Sequence, residues 1–127
     1  MKNILLVGIG GAIGSIGRYM ISLFYQKYQP LVTGFPYPTF IANMIGCIII
    51  GAIMAYILKT NQTSDTIKFL LVTGFCGGFT TFSALSFESV QLLQNNQIST
   101  AFIYIALSVI LGLGLTFMSY YLLSTKI

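Results

Sequence analysis

GFCGGFTTFSALSFE, residues 74–88, lies mostly within an apolar run long enough to cross a bilayer, yet it carries three glycines and a Thr-Thr-Phe-Ser stretch. That composition predicts an interruption of the helix near Gly74 to Thr81. Backbone N–H and C=O groups released from a helix cannot be left facing lipid, where each costs several kcal/mol. An interruption here must be buried in protein or line a hydrated path, which points to binding or moving an ion.

The surroundings of this stretch fix the class of protein. Of the 127 residues, 56% are hydrophobic and 6% are charged, against roughly 25% charged in soluble domains. The chain is therefore expected to be an integral membrane protein organised as a single unit over residues 1–127. Four apolar runs, 4–25, 40–58, 69–93 and 101–123, each approach the roughly twenty residues that an α-helix needs to span the hydrocarbon. The segments between them, 26–38 with three prolines, 59–68, and 94–100 with Asn95-Asn96, carry the polar and turn residues. The first run is read as a retained span, because it is long, contains Arg18 and lacks a convincing small-residue cleavage site.

Lys2, Lys59, Lys68 and Lys126 fall on the side of the termini, and Lys27 and Arg18 on the other. Four against two is a weak positive-inside bias that favours cytoplasmic termini and permits either orientation. The basic residues are scattered at the ends of apolar runs, which reads as membrane flanking and excludes a nucleic-acid surface. A single bundle of four bulky helices cannot easily enclose a conduit, so oligomerisation is expected. Gly10, Gly14 and Gly17 give the first span a small-residue face for another helix to approach; Gly46 with Gly51, and Gly112 with Gly114, do so less strictly.

Several chemistries are excluded by what the chain lacks. There is no histidine or tryptophan, and Asp65 and Glu88 are the only acids. A nucleophile, base and orienting acid cannot be assembled, so an enzyme is not expected. Cys47 and Cys76 form no CxxC pair and read as small packing residues. The glycines at 8–14 superficially suggest a dinucleotide fingerprint, but their spacing is wrong and no strand precedes them.

The polar residues inside the spans each have two readings. Arg18 is an interfacial anchor or the edge of an electropositive vestibule. Asn43 is an interhelical hydrogen-bonding amide or a donor to a dehydrated anion. Phe79 and Phe82 face lipid, or turn their partially positive ring edges towards an anion. Tyr104, Ser108, Thr116 and Ser119 recur at helical spacing on the last span as a hydroxyl track or as interhelical glue. Glu88, the one carboxylate within a span, is an ion or proton site or a structural hydrogen-bonding group.

GGAIGSIGRY at 10–19, PTFIANMIG at 38–46 and above all GFCGGFTTFS at 74–83 give the chain a resemblance to the Fluc (CrcB) fluoride channels along essentially its whole length. The resemblance implies an all-α subunit of four transmembrane helices assembling as an antiparallel, dual-topology dimer with two narrow fluoride pores. It implies a structural Na⁺ at the dimer interface, held by the backbone carbonyls of Gly77 and Thr80 from both subunits. Carried over by position, Asn43 and Phe82 line the pore, Ser83, Tyr104 and Ser108 lie on or beside a polar track, Arg18 sits in the vestibule, and Glu88 matches a glutamate usual in the family. The implied role is passive fluoride export across the plasma membrane of a prokaryote, with fluoride and membrane lipid as partners and no nucleic acid.

Three positions depart from the family pattern. TTFSTFS reads TTFSALS, so Ala84 replaces a threonine and Leu85 the second phenylalanine, and Gly112 stands where a serine is expected. The chain then forms a homodimer with weakened pores, or pairs with an oppositely inserted paralogue that supplies the missing ring; the weak charge bias fits the latter. A small proton-coupled multidrug transporter of dual topology is the rival of another class, but it needs a carboxylate in the first span, and the first acid here is Asp65, expected in a loop. Leu85 and Gly112 also keep a non-conducting assembly subunit open.

Overall fold

The structure, a computed structural model, describes residues 1–28, 34–60 and 64–126, with Lys126 described by its backbone alone. The parts of the predicted connections at 29–33 and 61–63 lie outside the described residues. The described residues are all-helical. Helix α1 (Lys2–Tyr28) and helix α2 (Tyr37–Thr60) form the first two spans. The third span, Asp65–Gln94, is composite: α3 (Asp65–Ile67), a π-helix (Lys68–Cys76), α4 (Gly77–Phe79) and α5 (Phe82–Gln94) follow one another, and α6 (Ile98–Lys126) is the fourth. All four spans are long and apolar enough to cross a membrane.

Each span extends a few residues beyond its apolar run, because hydropathy marks the part in hydrocarbon while the helix continues into the interface. At 1.5 Å per residue, spans of 24 to 30 residues would reach about 36–45 Å if fully α-helical, more than the roughly 30 Å hydrocarbon layer. Asp65, expected in a loop, opens the third span for the same reason. Pro38 falls in the first turn of α2, where its missing N–H would have no intrahelical partner anyway. The predicted Asn95-Asn96 turn ends α5. Asn96 takes a left-handed conformation (φ 59°), and the Asn96 and Gln97 N–H groups close on the Leu93 and Leu92 carbonyls at 3.1 and 2.9 Å, a Schellman closure.

Helix α2 lies along α6, α1 along the first half of the third span, and α5 against α6. The contact between α1 and the third span is backbone on backbone. A methyl group at Gly10 would run into the Leu70 carbonyl oxygen, and one at Gly14 into that of Phe75. The small-residue face read from the sequence is thus used within the chain. On the opposite side, α6 is fastened to α2 by Thr116 and Ser119, whose hydroxyls donate to the Cys47 and Ile48 carbonyls at 3.2 and 2.8 Å.

The buried core is small. Tyr104 is fully enclosed with Leu85, Leu92 and Ala101, and Phe35 and Phe40 pack against them. By contrast, Ile9, Ile13 and Ile16 of α1 and Ile110, Leu113 and Phe117 of α6 are exposed. Such an apolar exterior around a small-residue interior suits lipid as the solvent.

Gly14→Ala is expected to destabilise the protein by about 1–3 kcal/mol, the usual cost of overpacking. Gly8→Ala, where an added methyl meets nothing within 4 Å, should leave the thermal midpoint unchanged or slightly raised; melting both variants in detergent checks the contrast.

Candidate ion site

Helical geometry in the third span stops after Phe79. Thr80 (φ −92°, ψ 154°) and Thr81 (φ −151°, ψ 121°) are extended, and the helix resumes at Phe82. The glycines are not where it stops. Gly74 lies within the π-helical part of the span, which ends at Cys76, and Gly77 has ordinary right-handed helical angles, while Gly74 and Gly78 make the close approach to α1 possible. Within 74–81 the extended backbone is confined to the two threonines. Glycine permits an irregular backbone without requiring one, and here it serves helix proximity.

The freed peptide groups of Thr81 are met by one side chain. Its N–H donates to Asn43 Oδ1 at 2.8 Å, and its carbonyl accepts from Asn43 Nδ2 at 3.2 Å. An amide side chain offers a donor and an acceptor side by side, so Asn43 pairs with Thr81 as a neighbouring strand would. In an uninterrupted α-helix the Thr81 N–H would bond the Gly77 carbonyl; Asn43 diverts it. None of the hydrogen bonds outside helices among the described residues ends on the Gly77 or Thr80 carbonyl. The threonine side chains finish both helix ends. Thr80 Oγ1 donates to the Cys76 carbonyl at 2.8 Å, and Thr81 Oγ1 caps α5 by accepting from the Ala84 N–H at 3.2 Å.

Beside this segment a groove of about 350 Å³ gathers Asn43, Thr80, Thr81, Phe82, Leu85 and Ser108 from three helices. Phe82 is 80% exposed and Leu85 only 8%, so the ring stands out while the leucine belongs to the core as well as to the groove wall. The positive end of α5 begins at Phe82, next to the same space. Ser83 is exposed and shares a 3.0 Å hydroxyl contact with Thr81.

Glu88 and Tyr104 form a second polar cluster. Thr39 Oγ1 donates to Glu88 Oε1 at 2.6 Å and the Tyr104 hydroxyl to Oε2 at 2.7 Å. Phe35 closes over Tyr104 edge-on, with ring centroids 5.2 Å apart. Of the α6 hydroxyls, those of Thr116 and Ser119 tie helices together, whereas the buried Ser108 Oγ has no partner. Arg18 is half-buried, and its buried Nε likewise has none. Gly77 is exposed, with open space where a side chain would begin. Gly112 is buried against Cys47 in a neighbouring groove. Sequence reasoning missed Thr39, Thr81 as the partner of Asn43, and Cys47 as a groove residue. Their partners lie 49, 38 and more residues away, beyond the reach of helical periodicity.

A four-span helical bundle with two extended residues at mid-span and a polar-edged groove beside them belongs with ion-handling membrane proteins. The chain is a member of the family described as CrcB-like protein, Camphor Resistance (CrcB), whose pattern matches residues 5–120. It is 52% identical over 116 residues, 91% of this chain and 92% of the relative, to the fluoride-specific ion channel FluC of Flavobacterium psychrophilum. Identity to the protein of the same name from Azobacteroides pseudotrichonymphae is 40% over 122 residues, 96% of each chain. For that of Chlorobaculum tepidum it is 43% over 117 residues, 92% of this chain and 90% of the relative.

Asn43→Ala should orphan both Thr81 peptide groups, at about 1–3 kcal/mol each, and lower the thermal midpoint sharply. Tyr104→Phe removes one donor from Glu88 and should cost about 1–3 kcal/mol, the range for a buried acceptor that loses its partner; the same melting measurement ranks the two.

Proposed function

We propose that this chain is the subunit of a passive fluoride-selective channel that lowers cytoplasmic fluoride in a prokaryotic cell. The observation that carries the reading is the Asn43–Thr81 pairing, which holds non-helical backbone inside a span, in a chain 52% identical to a protein named a fluoride-specific ion channel. Hydrogen fluoride crosses membranes and dissociates in a more alkaline cytoplasm, so a leak for the anion alone returns it outward. A small, strongly hydrated anion needs close donors and a narrow path, and chloride would gain less from either. The remaining Asn43 N–H, the Ser108 hydroxyl and the edge of Phe82 are the groups of the first groove suited to that task.

The working unit is an antiparallel dimer in the plasma membrane, formed with a second copy or with an oppositely inserted paralogue. The exposed Phe82 and the exposed face at Gly77 support a partner on this side. The Gly77 and Thr80 carbonyls are hard oxygen donors outside the helical ladder, a donor set that fits Na⁺. Bound there, the cation would supply fixed positive charge between the two subunits. Leu85 bears on the partner: packed on the core, it presents no ring edge, and a paralogue with phenylalanine there would.

Liposomes loaded with potassium fluoride and carrying this chain alone are expected to release fluoride on addition of valinomycin, and chloride-loaded ones to hold their contents. Silence from folded, dimeric protein would overturn the self-sufficient channel and require the paralogue.

A further inference from the structure

The row Tyr104, Ser108, Gly112, Thr116 advances along α6 in steps of four, so its members lie along one side of that helix. Three carry hydroxyls and Gly112 interrupts them. The gap is filled from α2: a methyl group at Gly112 would lie 3.3 Å from Cys47 Sγ and 3.7 Å from Met44 Cε. The next hydroxyl of the row, that of Thr116, donates to the Cys47 carbonyl at 3.2 Å, which holds Cys47 in register with the gap.

Two grooves, of about 350 and 690 Å³, meet at this place. The residues common to both are Cys47, Ile50, Ser108 and Val109. Only the thiol and the hydroxyl among them can donate a hydrogen bond. The Ser108 hydroxyl oxygen is buried without a partner, and both cysteines are free thiols. A buried, unpartnered hydroxyl in a membrane protein is costly unless something visits it.

We propose that Cys47 is a specificity-determining residue of the ion path: its S–H replaces the hydroxyl missing at Gly112 and, with Ser108, forms the donor pair at the neck between the two grooves. This rests on the fluoride reading above. It revises the view of Cys47 as a packing residue, and it makes the path of this chain open to thiol chemistry. A small neutral reagent, methyl methanethiosulfonate, transfers its S-methyl group to the Cys47 thiolate, forming a disulfide and releasing methanesulfinate; the added group fills the neck.

The test uses the full chain in liposomes on a Cys76→Ala background, so that Cys47 is the single thiol. The reagent should stop fluoride release from that protein and leave the Cys47→Ser, Cys76→Ala protein untouched. Without reagent, Cys47→Ser should exceed the parent rate, since a hydroxyl donates better than a thiol. Cys47→Val should slow release by about tenfold or more, the loss expected for a missing hydrogen bond to an ion. Release at the parent rate from Cys47→Val, or inhibition that persists in Cys47→Ser, overturns the proposal. If the parent releases no fluoride, the self-sufficient channel fails separately, and mass spectrometry of the labelled protein decides the role of Cys47. Labelling slowed by fluoride and not by chloride supports it; labelling indifferent to fluoride, or absent, overturns it.

Discussion

Backbone polar groups inside a bilayer must be paired within the protein, and the Asn43–Thr81 contact is where this chain meets that demand outside a helix. A two-residue extended segment leaves several peptide groups without ladder partners. The Asn43 amide takes both groups of Thr81, and the Thr80 and Thr81 hydroxyls close the flanking helices. The arrangement needs α2 close to the third span. Gly46 allows it, because a side chain there would collide with the Thr80 methyl group.

The rest of the bundle keeps that geometry in place by two kinds of contact. Around α1 the means is proximity: glycine lets the π-helical part of the third span lie backbone to backbone against it. Between α2 and α6 the means is hydrogen bonding from Thr116 and Ser119 to main-chain carbonyls. Neither depends on the hydrophobic effect, which gives little drive for association between helices already in hydrocarbon. The compact core around Tyr104 sits where the third and fourth spans join and carries the Glu88 cluster with it.

Leu85 and Gly112, the positions expected from the sequence to depart from the family pattern, meet the grooves in different ways. Leu85 is absorbed by the core, touching the groove without offering it polarity. Gly112 leaves a gap that a thiol on another helix occupies.

Composition and the length of the apolar runs determined by themselves that this is a four-span helical membrane protein, since charge content and helix rise leave no other way to house such a chain. The motif at 74–83 also marked the stretch in which extended backbone occurs. Tertiary structure alone decided that the threonines and not the glycines leave the helix, that Asn43 is spent largely on Thr81, that Tyr104 is buried on Glu88, and that Cys47 stands against Gly112. The physical reason is the same in each case. Hydropathy and helical periodicity report how a residue meets its own helix and the lipid, whereas a hydrogen bond or a close approach across 16 to 69 residues of chain exists only once the helices have packed.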